Sequence, residues 1–238
     1  MKKAAFALAA LLMLFTGFGF ANVDTEARDA FIDDIINTAQ TLFEESNGRW
    51  HRAESASDKY VCKNYTTQLL FLPNAVNYRM AEYPDVILDI PLLNKETDDG
   101  YAKGIVWEDL SASEGNPFEV AAQFRYDRDL SKAENCEIAR EFMMQVMRGD
   151  YFQMYARYYW GTGAHSLVFI KNYDPEFQTV HWTDSHMIRK EVDGIDYGRV
   201  QFDAVEDIDW FVDAFCQPNL GATLYRLRED IIFADTQE

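Results

Sequence analysis

Cys62 is the residue in this chain most apt for covalent chemistry, in the stretch Tyr60-Val61-Cys62-Lys63-Asn64-Tyr65. His165, in Gly163-Ala164-His165-Ser166-Leu167-Val168, is the residue most apt to assist it. A cysteine attacks as its thiolate, and a free thiol with a pKa of about 8.5 is mostly protonated at neutral pH. Two things raise the thiolate fraction. Unpaired N–H groups and the dipole at a helix N-terminus favour the anion, and a neighbouring imidazolium favours it more. A third group is needed to hold the imidazole. The strand expected to pair with that of His165 contains Thr179-Val180-His181-Trp182-Thr183-Asp184. Asp184 is preferred, because a carboxylate fixes the tautomer and stabilises the ring cation. His181 is the alternative, on the opposite face of a regular strand. Each residue also has an ordinary reading: a bridged cysteine, a histidine at a strand start, an aspartate in a turn.

These residues need elements to carry them. Residues 24–46 place Phe31, Ile32, Ile35, Ile36, Ala39, Leu42 and Phe43 along one helical stripe, ended by Asn47-Gly48. Ser57 or Asp58 caps a second helix running to Leu72, stopped by Pro73, with Cys62 in its first turns. Residues 131–148 read as a third helix. Strands are expected at 151–154, from His165 to Ile170, at 178–183, at 200–202 and at 222–227, with an acidic helix over 206–215. Between 83 and 129 the signals are mixed: Val86-Ile87-Leu88 and Ile105-Val106-Trp107 are short strand candidates among loop signals. Helices first and an antiparallel sheet afterwards give an α+β fold.

Lys2 and Lys3, the apolar run from Ala4 to Phe15, and Gly19-Phe20-Ala21 form a secretory signal pattern over residues 1–21. The expected product starts at Asn22, is exported to the periplasm or secreted, and has no stable membrane insertion after cleavage. The net charge of −18 and the lack of a basic block argue against nucleic acid as a partner. Three cysteines allow at most one bridge, and the pairing of Cys62, Cys136 and Cys216 stays open. No cofactor is expected. His181, Asp184 and His186 fall close together, yet no metal-ligand spacing accompanies them, so no metal is expected either.

Cys62 on its helix, the His165 strand with the Gly149-Asp150 lead before it, and the polar strand after it resemble the papain-like cell-wall cysteine hydrolases. NlpC-type peptidases and CHAP amidases are the branches concerned. The match covers residues 57–72 and 147–228. It departs at Val61-Cys62-Lys63-Asn64, where NlpC-type enzymes have Asp-Cys-Ser-Gly, and in its longer gap between Cys and His. The resemblance implies a papain-like domain over 22–238, with N-terminal helices packed on a C-terminal antiparallel sheet or small barrel and an insertion at 80–130. It implies Cys62 as nucleophile, His165 as base and Asp184 as orienting residue, with Tyr60 and Trp182 beside the substrate. The substrate would be an amide in peptidoglycan or another peptide. A secreted glycan- or protein-binding domain without catalysis is the competing reading, and an acyltransferase with the same residues is a third.

Overall fold

The computed structural model describes residues 25–52, 118–159 and 161–228, together with residues 60, 62, 65, 66 and 69. The signal segment 1–21, the strand candidates at 86–88 and 105–107 and most of the stretch 80–130 lie outside them.

Helix α1 (Thr25–Ser46) forms where the stripe predicts it. Phe31, Ile32, Ile35, Ala39 and Leu42 are buried, and Asn47 and Gly48 end the helix in left-handed conformations. Cys62, Tyr65, Thr66 and Leu69 are helical, with Tyr60 in a turn ahead of them. Helix α2 (Lys132–Met143) starts at a capping box: the Ser131 hydroxyl accepts from the Glu134 amide, and the Glu134 carboxylate accepts from the Ser131 amide. It stops before Arg148, because the chain turns there to bring Asp150 back onto the Met147 amide. Helix α3 (Ile208–Phe215) is capped by Asp207.

The strands are β1 (His51–Arg52), β2 (Phe118–Arg125), β3 (Tyr151–Tyr158), β4 (Gly161–Phe169), β5 (Thr179–Val192), β6 (Ile195–Asp207) and β7 (Gly221–Leu227). They form one antiparallel sheet in the order β1-β6-β5-β4-β3-β7-β2. It is open, with β1 and β2 as edges, so the barrel alternative is not formed by the described strands. Residues 118–125, inside the stretch read as an insertion, are the β2 edge.

Helices cover both faces. On one, Phe31, Ile35, Leu42, Tyr65 and Leu69 pack with Tyr151, Val168, Val200 and Tyr225. On the other, Phe142, Phe211 and Phe215 of α2 and α3 pack with Phe152, Leu167, Phe169 and Leu224. Gly149 lies against α1 with φ 87°; a Cβ there would stand 3.0 Å from two Ile32 carbons. The chain is thus α+β, with helices beyond the N-terminal ones covering the second face of the sheet.

Two strands differ from the sequence reading in ways that matter for the site. β4 begins at Gly161, four residues before His165, because Gly161 itself supplies the turn at φ 133°. His165 is therefore interior to its strand, opposite Met154. β5 runs on through Asp184 to Val192, so Asp184 is a strand residue rather than a turn residue.

Candidate active site

The Cys62 helix is pinned to the sheet by buried hydroxyls. Tyr65 Oη is 2.7 Å from Thr183 Oγ1 on β5, and Tyr151 on β3 donates to the Thr66 carbonyl at 2.8 Å. Thr66 Oγ1 in turn donates to the Cys62 carbonyl at 3.1 Å. Each tie satisfies a polar group that would otherwise be costly to bury.

β4 and β5 are paired over only three positions, Leu167 with Asp184, Val168 with Thr183 and Phe169 with Trp182. Towards His165 the two strands part. The Ser166 backbone N–H, beside this parting, and the His165 ring both lie near enough to the Cys62 sulfur to lower its pKa. His165 Nε2 lies 2.9 Å from Asp184 Oδ2. His165 Nδ1 is buried and makes no hydrogen bond, while the ring as a whole acts electrostatically on the Cys62 sulfur. Cys62 is 9% exposed, and His165 and Asp184 are 0% exposed.

Burial alone would push the Cys62 thiol up and the His165 ring down, since both charged forms lose water. The opposite happens to each. The imidazolium charge of His165, its hydrogen bond, the Ser166 N–H and the Arg189 charge bring Cys62 below the ordinary thiol value. The Cys62 charge and the Asp184 carboxylate raise His165 to about 9. In each case the largest influence opposing burial is the charge of the other group.

Asp184 is itself held in place. Its Oδ2 also accepts from the Met187 amide at 2.8 Å, and Oδ1 accepts from Gln201 Nε2 at 2.8 Å. The Tyr158 ring stands edge-on to His165 with centroids 6.1 Å apart and screens it from solvent. Tyr158 and Met187 also line a cleft of about 490 Å³, completed by Arg157, Tyr159 and Trp210 among others.

The structure brings Cys62, His165 and Asp184 together. His181 points elsewhere, 2.6 Å from Asp203 Oδ1 and 3.0 Å from Lys171 Nζ. His186 faces the His51 carbonyl. Among the described residues no group of three His, Cys, Asp or Glu side chains converges on a point where a metal would sit. Tyr60 lies next to Cys62 as expected, but it is 7% exposed with its ring stacked on His51. Trp182 is a correction to the sequence reading. It is 3% exposed and packs against Phe211 and Trp210 in the α3-side core, its own strand position lying opposite Phe169. Sequence reasoning missed the Ser166 and Met187 amides, Gln201, Tyr158 and Arg189. The amides carry no side-chain signature, and the other three stand at no informative spacing from Cys62.

Known proteins do not decide the matter. No family model matches the chain, and no curated protein or solved structure matches it either.

Proposed function

We propose that this chain is an exported cysteine hydrolase that cleaves an amide bond, with Cys62, His165 and Asp184 in a papain-like arrangement. The observation that carries the reading is the continuous series from the Cys62 sulfur through the His165 ring to the Asp184 carboxylate, with the thiol pKa lowered and the ring pKa raised. A cysteine buried only for packing has no need of a charged partner, and burial would raise its pKa.

The Cys62 thiolate attacks the amide carbonyl carbon, and the electron pair of the C=O moves to oxygen. The Cys62 backbone N–H stabilises that oxyanion. The tetrahedral intermediate collapses, the C–N bond breaks, and the His165 imidazolium gives its proton to the departing nitrogen. A thioester remains. Neutral His165 then takes a proton from water as the water oxygen attacks the thioester. The C–S bond breaks, a carboxylic acid leaves, and the thiolate–imidazolium pair is restored. Asp184 accepts from Nε2–H and keeps the ring oriented throughout. By resemblance, the substrate is a peptidoglycan peptide or the sugar–peptide amide, its flank resting in the cleft beside Tyr158 and Met187.

The test is incubation of the purified mature protein with purified peptidoglycan and with soluble muropeptides, and mass spectrometry of the products. New amine and carboxyl ends should appear with the wild type and be absent with Cys62→Ala. Turnover retained by Cys62→Ala, or no new ends from any of these substrates with the wild type, overturns the reading.

A further inference from the structure

β5 loses its register with β6 between Ser185 and Arg189. Within this bulge His186 has φ 74°, a left-handed conformation unusual for a side chain of its size, and it is 1% exposed. The ring lies flat on Gly198 of β6. A Cβ at Gly198 would stand 2.2 Å from His186 Cδ2 and 2.7 Å from its Cα, so only glycine fits. His186 Nδ1 is 2.9 Å from Ser185 Oγ, and Nε2 is 3.2 Å from the His51 carbonyl. Ser185 Oγ donates to the Tyr60 carbonyl, two residues before Cys62. The His51 ring closes the loop by stacking on Tyr60, with centroids 3.8 Å apart and planes 27° apart. From the same bulge, the Met187 amide reaches Asp184 Oδ2.

We infer that the Ser185–His186 bulge is the positioning device of the Cys62 site. It fixes the Tyr60 turn through Ser185 and His51, and thereby where the Cys62 sulfur stands against His165, while its Met187 amide fixes Asp184. The inference rests on the hydrolase reading above. Strained backbone persists only where its surroundings over-determine it, and bulges beside sites re-aim the groups around them. Here one irregularity serves both ends of the series: the helix that carries the nucleophile and the acid that orients the base. A site dependent on contact between two charged groups loses much from a small misplacement, which is why a rigid tether at Tyr60 matters more than its single hydrogen bond.

The test uses the full mature chain and iodoacetamide, with alkylation at Cys62 followed by mass spectrometry across a range of pH. Ser185→Ala should remain folded, with its Cys62 pH profile moved upward by about one unit and its rate at neutral pH lowered about tenfold. Ser185→Thr, which keeps the hydroxyl, should restore the wild-type profile. Gly198→Ala should reproduce the Ser185→Ala profile by driving His186 off its seat. Should it fail to fold, the two Ser185 variants decide alone. His181→Ala, elsewhere on β5, should leave the profile unchanged. A wild-type profile in both Ser185→Ala and Gly198→Ala overturns the positioning role and leaves the hydrolase reading standing. A wild-type Cys62 with the pH profile of an ordinary thiol overturns the hydrolase reading, and this inference with it.

Discussion

His165 Nε2 stands 2.9 Å from Asp184 Oδ2, and neither side chain touches solvent. Water does not screen a buried imidazole from a buried carboxylate in contact with it, so Asp184 favours the charged ring. Across the ring from that carboxylate, the Cys62 and His165 charges each favour the other.

Removing the ring should therefore be felt first at the sulfur. In His165→Ala the thiol keeps its burial and loses its largest stabilising charge. Its pKa should rise above that of an ordinary cysteine, and iodoacetamide labelling of Cys62 at neutral pH should fall at least tenfold, or about one pKa unit. Labelling should recover as the pH is raised. Equal labelling of variant and wild type at neutral pH would show that the ring does not support the thiolate.

The pH dependence of turnover follows from the same shifts. The departing nitrogen needs the proton on His165. With its pKa at about 9 the ring holds that proton through neutral pH and loses it as pH climbs through about 9, so activity should fall on that alkaline limb. On the acid side Cys62 is the group lost. Its lowered pKa keeps the thiolate present below the ordinary thiol range, and activity falls only as pH drops through that lowered value.

Asp184→Asn should move the alkaline limb. The substitution removes the carboxylate charge and weakens the hydrogen bond, both of which raise the His165 pKa. The limb should shift to lower pH by about one unit, with a fall in kcat of about a hundredfold or more from the disturbed tautomer. An unmoved limb in a folded variant would mean that Asp184 does not act on the ring.

Asp150 offers a stability test away from the site. Its Oδ1 accepts from Arg226 Nε at 2.9 Å, and its Oδ2 from Arg226 Nη2 at 2.7 Å and the Met147 amide at 2.8 Å. Asp150→Ala leaves the half-buried Arg226 guanidinium with the Gln145 carbonyl but without its carboxylate, removes the acceptor of the Met147 amide, and should cost about 3 kcal/mol, read as a lowered urea midpoint. A loss below about 1 kcal/mol would place this pair with the weak surface ones.

Cys136 on α2 and Cys216 at the end of α3 have their sulfurs 2.8 Å apart, while Cys62 stands beside His165. Mild oxidation should join Cys136 to Cys216, leave Cys62 as the single titratable thiol, and stabilise the chain by about 2–4 kcal/mol. Peptide mapping after oxidation checks it; Cys62 found in a bridge would contradict the assignment of roles.

Much of the scaffold was legible in the sequence because it follows periodicity. Phe31, Ile35, Ala39 and Leu42 mark α1, and the Ser131 and Glu134 pair marks the start of α2. The functional half of β5 was not legible. An alternating apolar pattern ends at Trp182, and the next residues, Thr183, Asp184, Ser185 and His186, are polar yet buried. Buried polar residues imitate a turn in sequence, so the strand seemed to stop where the site begins. Cys62 and His165 were found by residue type alone, since no other pair offered a thiol at a helix start and an imidazole on a strand. Trp182 lies under α3 rather than open beside Cys62, because a helix further along the chain covers it, and nothing around Trp182 in sequence marks that cover.

The ring and the sulfur come from distant parts of the chain and meet only where β4 and β5 separate, with α1 already laid over the sheet beneath. A polypeptide still emerging during synthesis, or one partly melted, thus carries nothing more aggressive than an ordinary thiol. The lowered thiol pKa of Cys62 belongs to the tertiary structure, so the pH profile of its labelling should report how much of a sample is wholly native.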